Sequence, residues 1–237
     1  MTAIEPPRTL VWDLPTRIFH WLLVVSFAGA WLTAESERWR DAHVLLGYTV
    51  GGLLVFRLLW GFLGTRYARF SSFVYGPRAV IDYLRSLATR RPQHFVGHNP
   101  AGALVIFALL ALLAVVVASG WAIFAAVGPE ALEELHEAAA TATLALVFIH
   151  IAGVVVSSRL HRENLVGAMI SGYKPVAAPA AAGTRWAIAL LLLLAVGLFW
   201  SGRIPAPGLP AGTQLSLSAV KAPPPDRAER WRQDDDD

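Results

Sequence analysis

The sequence contains no cysteine. That absence excludes disulfides, thiolate metal sites, cysteine-ligated iron–sulfur clusters and haem attached covalently through a C-x-x-C-H motif. Any metal must therefore be held by histidine or oxygen. Charge is scarce too: 16% of the 237 residues are charged against 55% hydrophobic, and mean hydropathy is +0.50. A soluble domain carries more charge, so the chain reads as an integral membrane protein. Residues 1–17 lack a continuous apolar stretch and a small-residue cleavage site, so no removable signal peptide is expected. There is no solenoid-type repeat, and no nucleic-acid partner is expected.

What the chain does have is long apolar runs. Spans are expected at about 18–34, 44–63, 101–127 and 138–157, each close to the roughly 20 residues a bilayer requires. A fifth, shorter run follows at about 185–201, bracketed by Trp186 and Trp200 as an aromatic belt would be. The expected fold is all-α: an integral membrane four-helix bundle plus a fifth, C-terminal transmembrane helix. The core occupies 1–174, a linker and the fifth helix 175–203, and a flexible tail 204–237. The tail is rich in proline and charge and ends in four aspartates. In the loop 65–100, a helix over about 77–90 carries Val80, Ile81, Leu84 and Leu87 at helical spacing. With Arg78, Arg85 and Arg90 beside them, it reads as an interfacial amphipathic helix against lipid.

Lysine and arginine set the orientation. Segments 1–17, 65–100 and 158–185 hold two, six and four of them, whereas the loops 35–41 and 128–137 hold two and none. The first group is therefore expected in the cytoplasm. Five spans then place the amino terminus inside and the tail in the periplasm of a bacterial inner membrane, although the five basic residues of 203–237 pull weakly against that placement.

Histidines inside apolar helices are costly and need partners. His136 and His150 lie fourteen residues apart in the fourth span, which separates them by about 21 Å along the axis while keeping them within about 40° of one face. The derived orientation puts His43 at the depth of His136, near the outer surface, and His20 at the depth of His150, near the inner one. Two imidazoles from facing helices at each of two depths suit axial ligation of two haem irons. The spans supply no carboxylate at either level, which disfavours a non-haem metal. Taken singly, each histidine is equally open to a packing or hydrogen-bonding role.

Arg57 lies fourteen residues after His43, at the inner level, where haem propionates would neutralise it. Snorkelling toward headgroups is the competing reading. Arg17, three residues before His20, could serve the same haem, and His98 and Asn99 could reach a propionate. His94 and His161 read as interfacial, and Glu133, Glu134 and Glu137 as a solvated helix start. Gly47, Gly51 and Gly153 would let a flat macrocycle approach the backbone, though helix packing accounts for them equally well.

At VWDLPTRIFHW around His20, FRLLWG around Arg57, SFVYGPRAV in the loop, GHNPAG and HRENLVGAMISGYK, the chain resembles the bacterial cytochrome b-561 and nickel–iron hydrogenase cytochrome b family, over about residues 8–174. The resemblance implies a four-helix core with two b-type haems, with His20, His43, His136 and His150 as ligands. It also implies electron transfer between membrane quinone and a partner at one surface, such as a periplasmic cytochrome c, a dehydrogenase or a hydrogenase. Two alternatives stay open: a superoxide:quinone oxidoreductase, and a haem-containing anchor that recruits a soluble partner through its tail.

Overall fold

The computed structural model describes residues 7–89, 93–181 and 183–215. After a short strand β1 (Arg8–Leu10), helix α1 runs over Leu14–Thr33 and α2 over Arg40–Leu63. An amphipathic helix α3 (Pro77–Ala88) precedes α4 (Pro100–Phe124) and α5 (Ala131–His161). The short α6 (Leu165–Ser171), a strand β2 (Tyr173–Pro175) and α7 (Trp186–Trp200) complete the order. Among the described residues, three helices are long and apolar enough to cross a membrane: α2 with its preceding turn, α4 and α5. α1 has the length but is diluted by Thr16, Arg17, His20 and Ser26, and α7, at 15 residues, is about one turn short. Arg90 and most of the proline- and charge-rich tail, including its four terminal aspartates, fall outside the described residues.

α1, α4 and α6 begin where the sequence supplies a side-chain cap. Asp13 accepts from Thr16 N at 2.8 Å, with Pro15 in the first turn, so α1 starts at Leu14, four residues before its continuous apolar run. Asn99 caps α4 in the same way through Gly102 N at 2.7 Å, and Pro100 opens the helix. α5 spans 31 residues because polar turns at both ends continue the helix beyond its apolar middle, and it stops at Arg162, which takes a left-handed conformation.

Packing follows the order α7–α1–α2–α4–α5, with α3 laid against α4. α3 turns Tyr83 and Ser86 inward, while Ile81 and Leu84 stay 47% and 50% exposed, so its apolar stripe is left for lipid. The segment after α7 folds back on the bundle. Trp200 donates Nε1–H to Thr49 Oγ1 at 2.9 Å, and Tyr48 donates its hydroxyl to the Pro207 carbonyl at 3.1 Å.

Below the helices, the two ends of the core are tied together. β1 pairs antiparallel with β2 in the register Arg8↔Pro175, Thr9↔Lys174, Leu10↔Tyr173. Val11 and Trp12 donate their amides to the Gly172 carbonyl at 2.9 and 3.0 Å, and pack with Tyr67, Ala168 and Ala181 in a small core. Gly172 has φ +90°, and a Cβ there would come within 2.7 Å of the Trp12 carbonyl oxygen, so glycine is required. Lys174 is buried and pairs with Glu163 at 3.2 Å.

Asp13 is the node of this cap. Its carboxylate is 1% exposed and accepts from the Thr16 amide, from Trp60 Nε1 at 3.2 Å and from the Thr65 hydroxyl, so it joins the start of α1 to the end of α2. Asp13→Ala strands the indole N–H and a buried hydroxyl together, and is expected to cost about 2–4 kcal/mol. A thermal midpoint in detergent should fall clearly below that of the wild type, and an unchanged midpoint would contradict the assignment.

Candidate functional site

α1 and α2 form an antiparallel hairpin, and so do α4 and α5, so the first turn of α2 lies level with the first turns of α5. His43 and His136 meet there, with ring centres 6.3 Å apart and planes at 75°. Each ring is held from behind. His43 Nδ1 lies 2.8 Å from the Ala30 carbonyl on α1, and His136 Nδ1 lies 3.0 Å from the Val116 carbonyl on α4. A carbonyl only accepts, so each Nδ1 carries the proton and each Nε2 keeps its lone pair. Backbone carbonyls behind a metal-ligating histidine fix its tautomer and raise its basicity in this way.

The separation is itself informative. With a histidine–metal bond of about 2 Å, and roughly 1 Å from nitrogen to ring centre, two rings sharing one metal ion have centres about 6 Å apart. The observed spacing meets that requirement, whereas a direct hydrogen bond between two Nε2 atoms would need one of them protonated. Gly120 makes the placement possible, since a Cβ there would lie 2.8 Å from His136 Cε1. Gly47, one turn along α2 from His43, faces open space, while a Cβ on Gly51 would come within 3.0 Å of Val117. Of the two glycines on that face, Gly51 serves helix packing and Gly47 leaves room beside the histidines.

At the other level the donor set is less complete but has the same character. His20 and His150 lie within electrostatic range of each other, and His20 Nδ1 is buried without a hydrogen-bond partner. Arg57 is 4% exposed and stacks over Phe70, with Cζ 4.6 Å from the ring centre. Its Nη1 is also buried and unpartnered, and it makes no salt bridge among the described residues. The guanidinium is buried inside the protein. A buried cation with a spare N–H fits a ligand carrying carboxylates, and His20 on α1 keeps a spare nitrogen. Arg17 donates Nη1–H to the Ile170 carbonyl and thereby helps to end α6, but its Nε remains buried and unpartnered.

The remaining polar residues divide plainly. Asn99 spends its carboxamide oxygen on capping α4. His98 sits between Trp12 and Phe73, at ring-centre distances of 4.6 and 4.3 Å, and its Nδ1 is unpartnered. His94 and His161 turn to each other, Nδ1 to Nδ1 at 3.1 Å, away from both levels. No cluster of three or more histidine or carboxylate ligands occurs among the described residues, so a carboxylate-completed metal site finds no support. Sequence reasoning missed Asp13, Trp60 and Gly120. A cap signal was readable at Asp13, but no local pattern reveals a partner 47 residues away.

A helical membrane protein with paired histidines between its helices is the class these features define. The chain belongs to the prokaryotic cytochrome b561 family, whose model matches residues 11–172. It is therefore a multi-pass membrane cytochrome that binds haem b and serves electron transport. Relatives in Bradyrhizobium diazoefficiens and Rhizobium leguminosarum bv. viciae, each named "Probable Ni/Fe-hydrogenase B-type cytochrome subunit", are 24% identical. Both alignments cover 72% of this chain, with 87% and 90% of the relatives. A relative of the same name in Rhodobacter capsulatus is 21% identical, over 69% of this chain and 80% of its own length. No solved structure matches the chain.

His98 lies outside the spanning segments, and burial, aided by the Arg57, Lys174 and His150 charges, pushes its pKa down to about 3. The unfolded chain takes up a proton there near pH 6.5 while the folded one does not, so stability falls as pH drops through the interval from about 6.5 to 3. Acidification from pH 7 to 5 should therefore cost the wild type about 1–2 kcal/mol more than His98→Gln, read as the change in thermal midpoint. Equal losses would contradict a neutral buried His98.

Proposed function

We propose that α1, α2, α4 and α5 form a four-helix core holding two haem b groups, one between His43 and His136 and one between His20 and His150, with α7 as an added fifth membrane helix. In this reading the protein carries electrons across the membrane between the quinone pool and a redox partner at the opposite face. The observation that carries it is the His43–His136 pair, two imidazoles whose Nδ1 atoms are held by backbone carbonyls, whose Nε2 lone pairs are free and whose ring centres are spaced to accommodate one metal ion. Bound haem supplies a reversible one-electron iron couple between two imidazoles.

The protein's own residues hold, orient and insulate. Ala30 and Val116 fix the outer imidazoles through Nδ1. Arg57, and Arg17 through its unpartnered Nε, offer positive charge to cofactor carboxylates at the inner level. A buried cation there also favours the reduced, more negative state of whatever it faces. The apolar walls of α4 and α5 keep the low dielectric in which that charge acts strongly.

The distribution of basic residues supports an orientation with the amino terminus cytoplasmic, His20 and His150 on that side, and the end of α7 in the periplasm. The relatives' names favour a nickel–iron hydrogenase as the partner that delivers electrons. Thr49 holds the last residue of α7 and Tyr48 holds Pro207 just beyond it, on the helix that carries His43, which favours a supporting role for the tail at the partner's docking face.

Purified full-length protein should give two b haems per chain in a pyridine haemochrome assay. His43→Ala and His136→Ala should each remove the same haem, and His20→Ala and His150→Ala the other, as judged by the α-band and the redox titration of what remains. One haem in the wild type, or losses that pair the histidines differently, would overturn the reading.

A further inference from the structure

The end of the bundle that carries the basic loops holds a cavity that electron transfer does not use. It measures about 640 Å³ and lies where the end of α2 approaches the start of α7, walled by Arg66, Arg69, Arg185, Ser71 and Ser72 with no carboxylate among its lining residues. None of the three guanidinium groups forms a salt bridge among the described residues. Ser72 donates its hydroxyl to the Arg69 carbonyl at 2.7 Å, which leaves its oxygen lone pairs free, and Arg66 lies over the Tyr67 ring with Cζ 6.0 Å from its centre. Three unneutralised cations around one cavity call for an anion with several acceptor oxygens, and guanidinium is the group best shaped for phosphate.

The rim narrows the choice of anion. α2 ends in Phe62 and Leu63, 72% and 78% exposed, and Trp186, beside Arg185, is 66% exposed. A small adjoining cavity runs along Gly183, Arg185, Trp186 and Ile188 at the start of α7. A free phosphate would satisfy the arginines and leave this apolar border unused. An amphiphile satisfies both.

We propose that this cavity binds the phosphate headgroup of an anionic phospholipid, with acyl chains lying along Phe62, Leu63 and Trp186. Basic pockets between membrane helices on the cytoplasmic side bind such headgroups, by charge near the surface and hydrophobic contact below it. Three cations exceed the charge of one phosphodiester, so a two-phosphate headgroup of the diphosphatidylglycerol type is the best match. The site lies apart from the four histidines, and the proposal stands whether or not two haems are bound.

Native mass spectrometry of the full-length, haem-loaded protein tests it, with titrations of diphosphatidylglycerol, phosphatidylglycerol, phosphatidylcholine and inorganic phosphate. The expected order is diphosphatidylglycerol first, phosphatidylglycerol second and phosphatidylcholine last. The triple variant Arg66→Gln, Arg69→Gln, Arg185→Gln should lose about a hundredfold in affinity for the first while keeping its haem absorbance. A control, Arg78→Gln with Arg159→Gln, should stay within about twofold if the effect belongs to the cavity and not to general surface charge. Should the triple variant fail to load haem, Arg69→Gln and Arg185→Gln singly are each expected to lose about fivefold. Equal binding of phosphatidylcholine, unchanged affinity in the arginine variants, equal loss in the control, or inorganic phosphate binding as tightly as the lipids would overturn the proposal.

Discussion

A polar atom between apolar helices must find a partner or cost several kcal/mol, and this constraint shapes the bundle. His43 and His136 obey it through one nitrogen each, by donating to carbonyls of the helices behind them. The second nitrogen of each ring keeps its lone pair, with the two ring centres 6.3 Å apart. Gly120 admits the His136 ring and Gly47 leaves space beside the pair. At the inner level the spare atoms belong to His20, Arg17 and Arg57, so one level offers lone pairs and the other lone pairs with cations.

The helices can present these groups only if their ends are held, and the structure does this with a compact cap of loops. Asp13 joins α1 to α2 through Trp60 and Thr65, while Gly172 and the β1–β2 pair join the amino terminus to the exit of α5 and α6. The stretches VWDLPTR and HRENLVGAMISGYK are far apart in sequence and adjacent in this cap. That contact gives both a structural reason apart from cofactor binding, and the family match begins and ends within it.

Much of this was legible in the sequence and some was not, for physical reasons. Apolar runs located five of the helices, α1, α2, α4, α5 and α7, because a membrane imposes length and composition together. Their ends were misplaced where caps and polar turns extend a helix past its apolar run, as at Leu14 for α1 and at both ends of α5. The strands are three residues each, too short for an alternating pattern to show. Orientation from the basic residues placed His43 level with His136, and spacing set His150 deeper, because helix geometry converts residue number into depth. It could not tell that Asn99 would spend its side chain on a cap, that His94 would pair with His161, or that Gly51 would serve packing where Gly47 does not. Those outcomes depend on which neighbour each residue meets.

The central claim is that the four histidines form two ligand pairs at two depths. Locating the irons in the purified, haem-loaded protein by anomalous X-ray scattering tests it most directly. Two iron peaks are expected, one between His43 and His136 and one between His20 and His150, separated along α5 by about 21 Å for the fourteen residues from His136 to His150. A single peak, or an iron bound by any other residue, would contradict it.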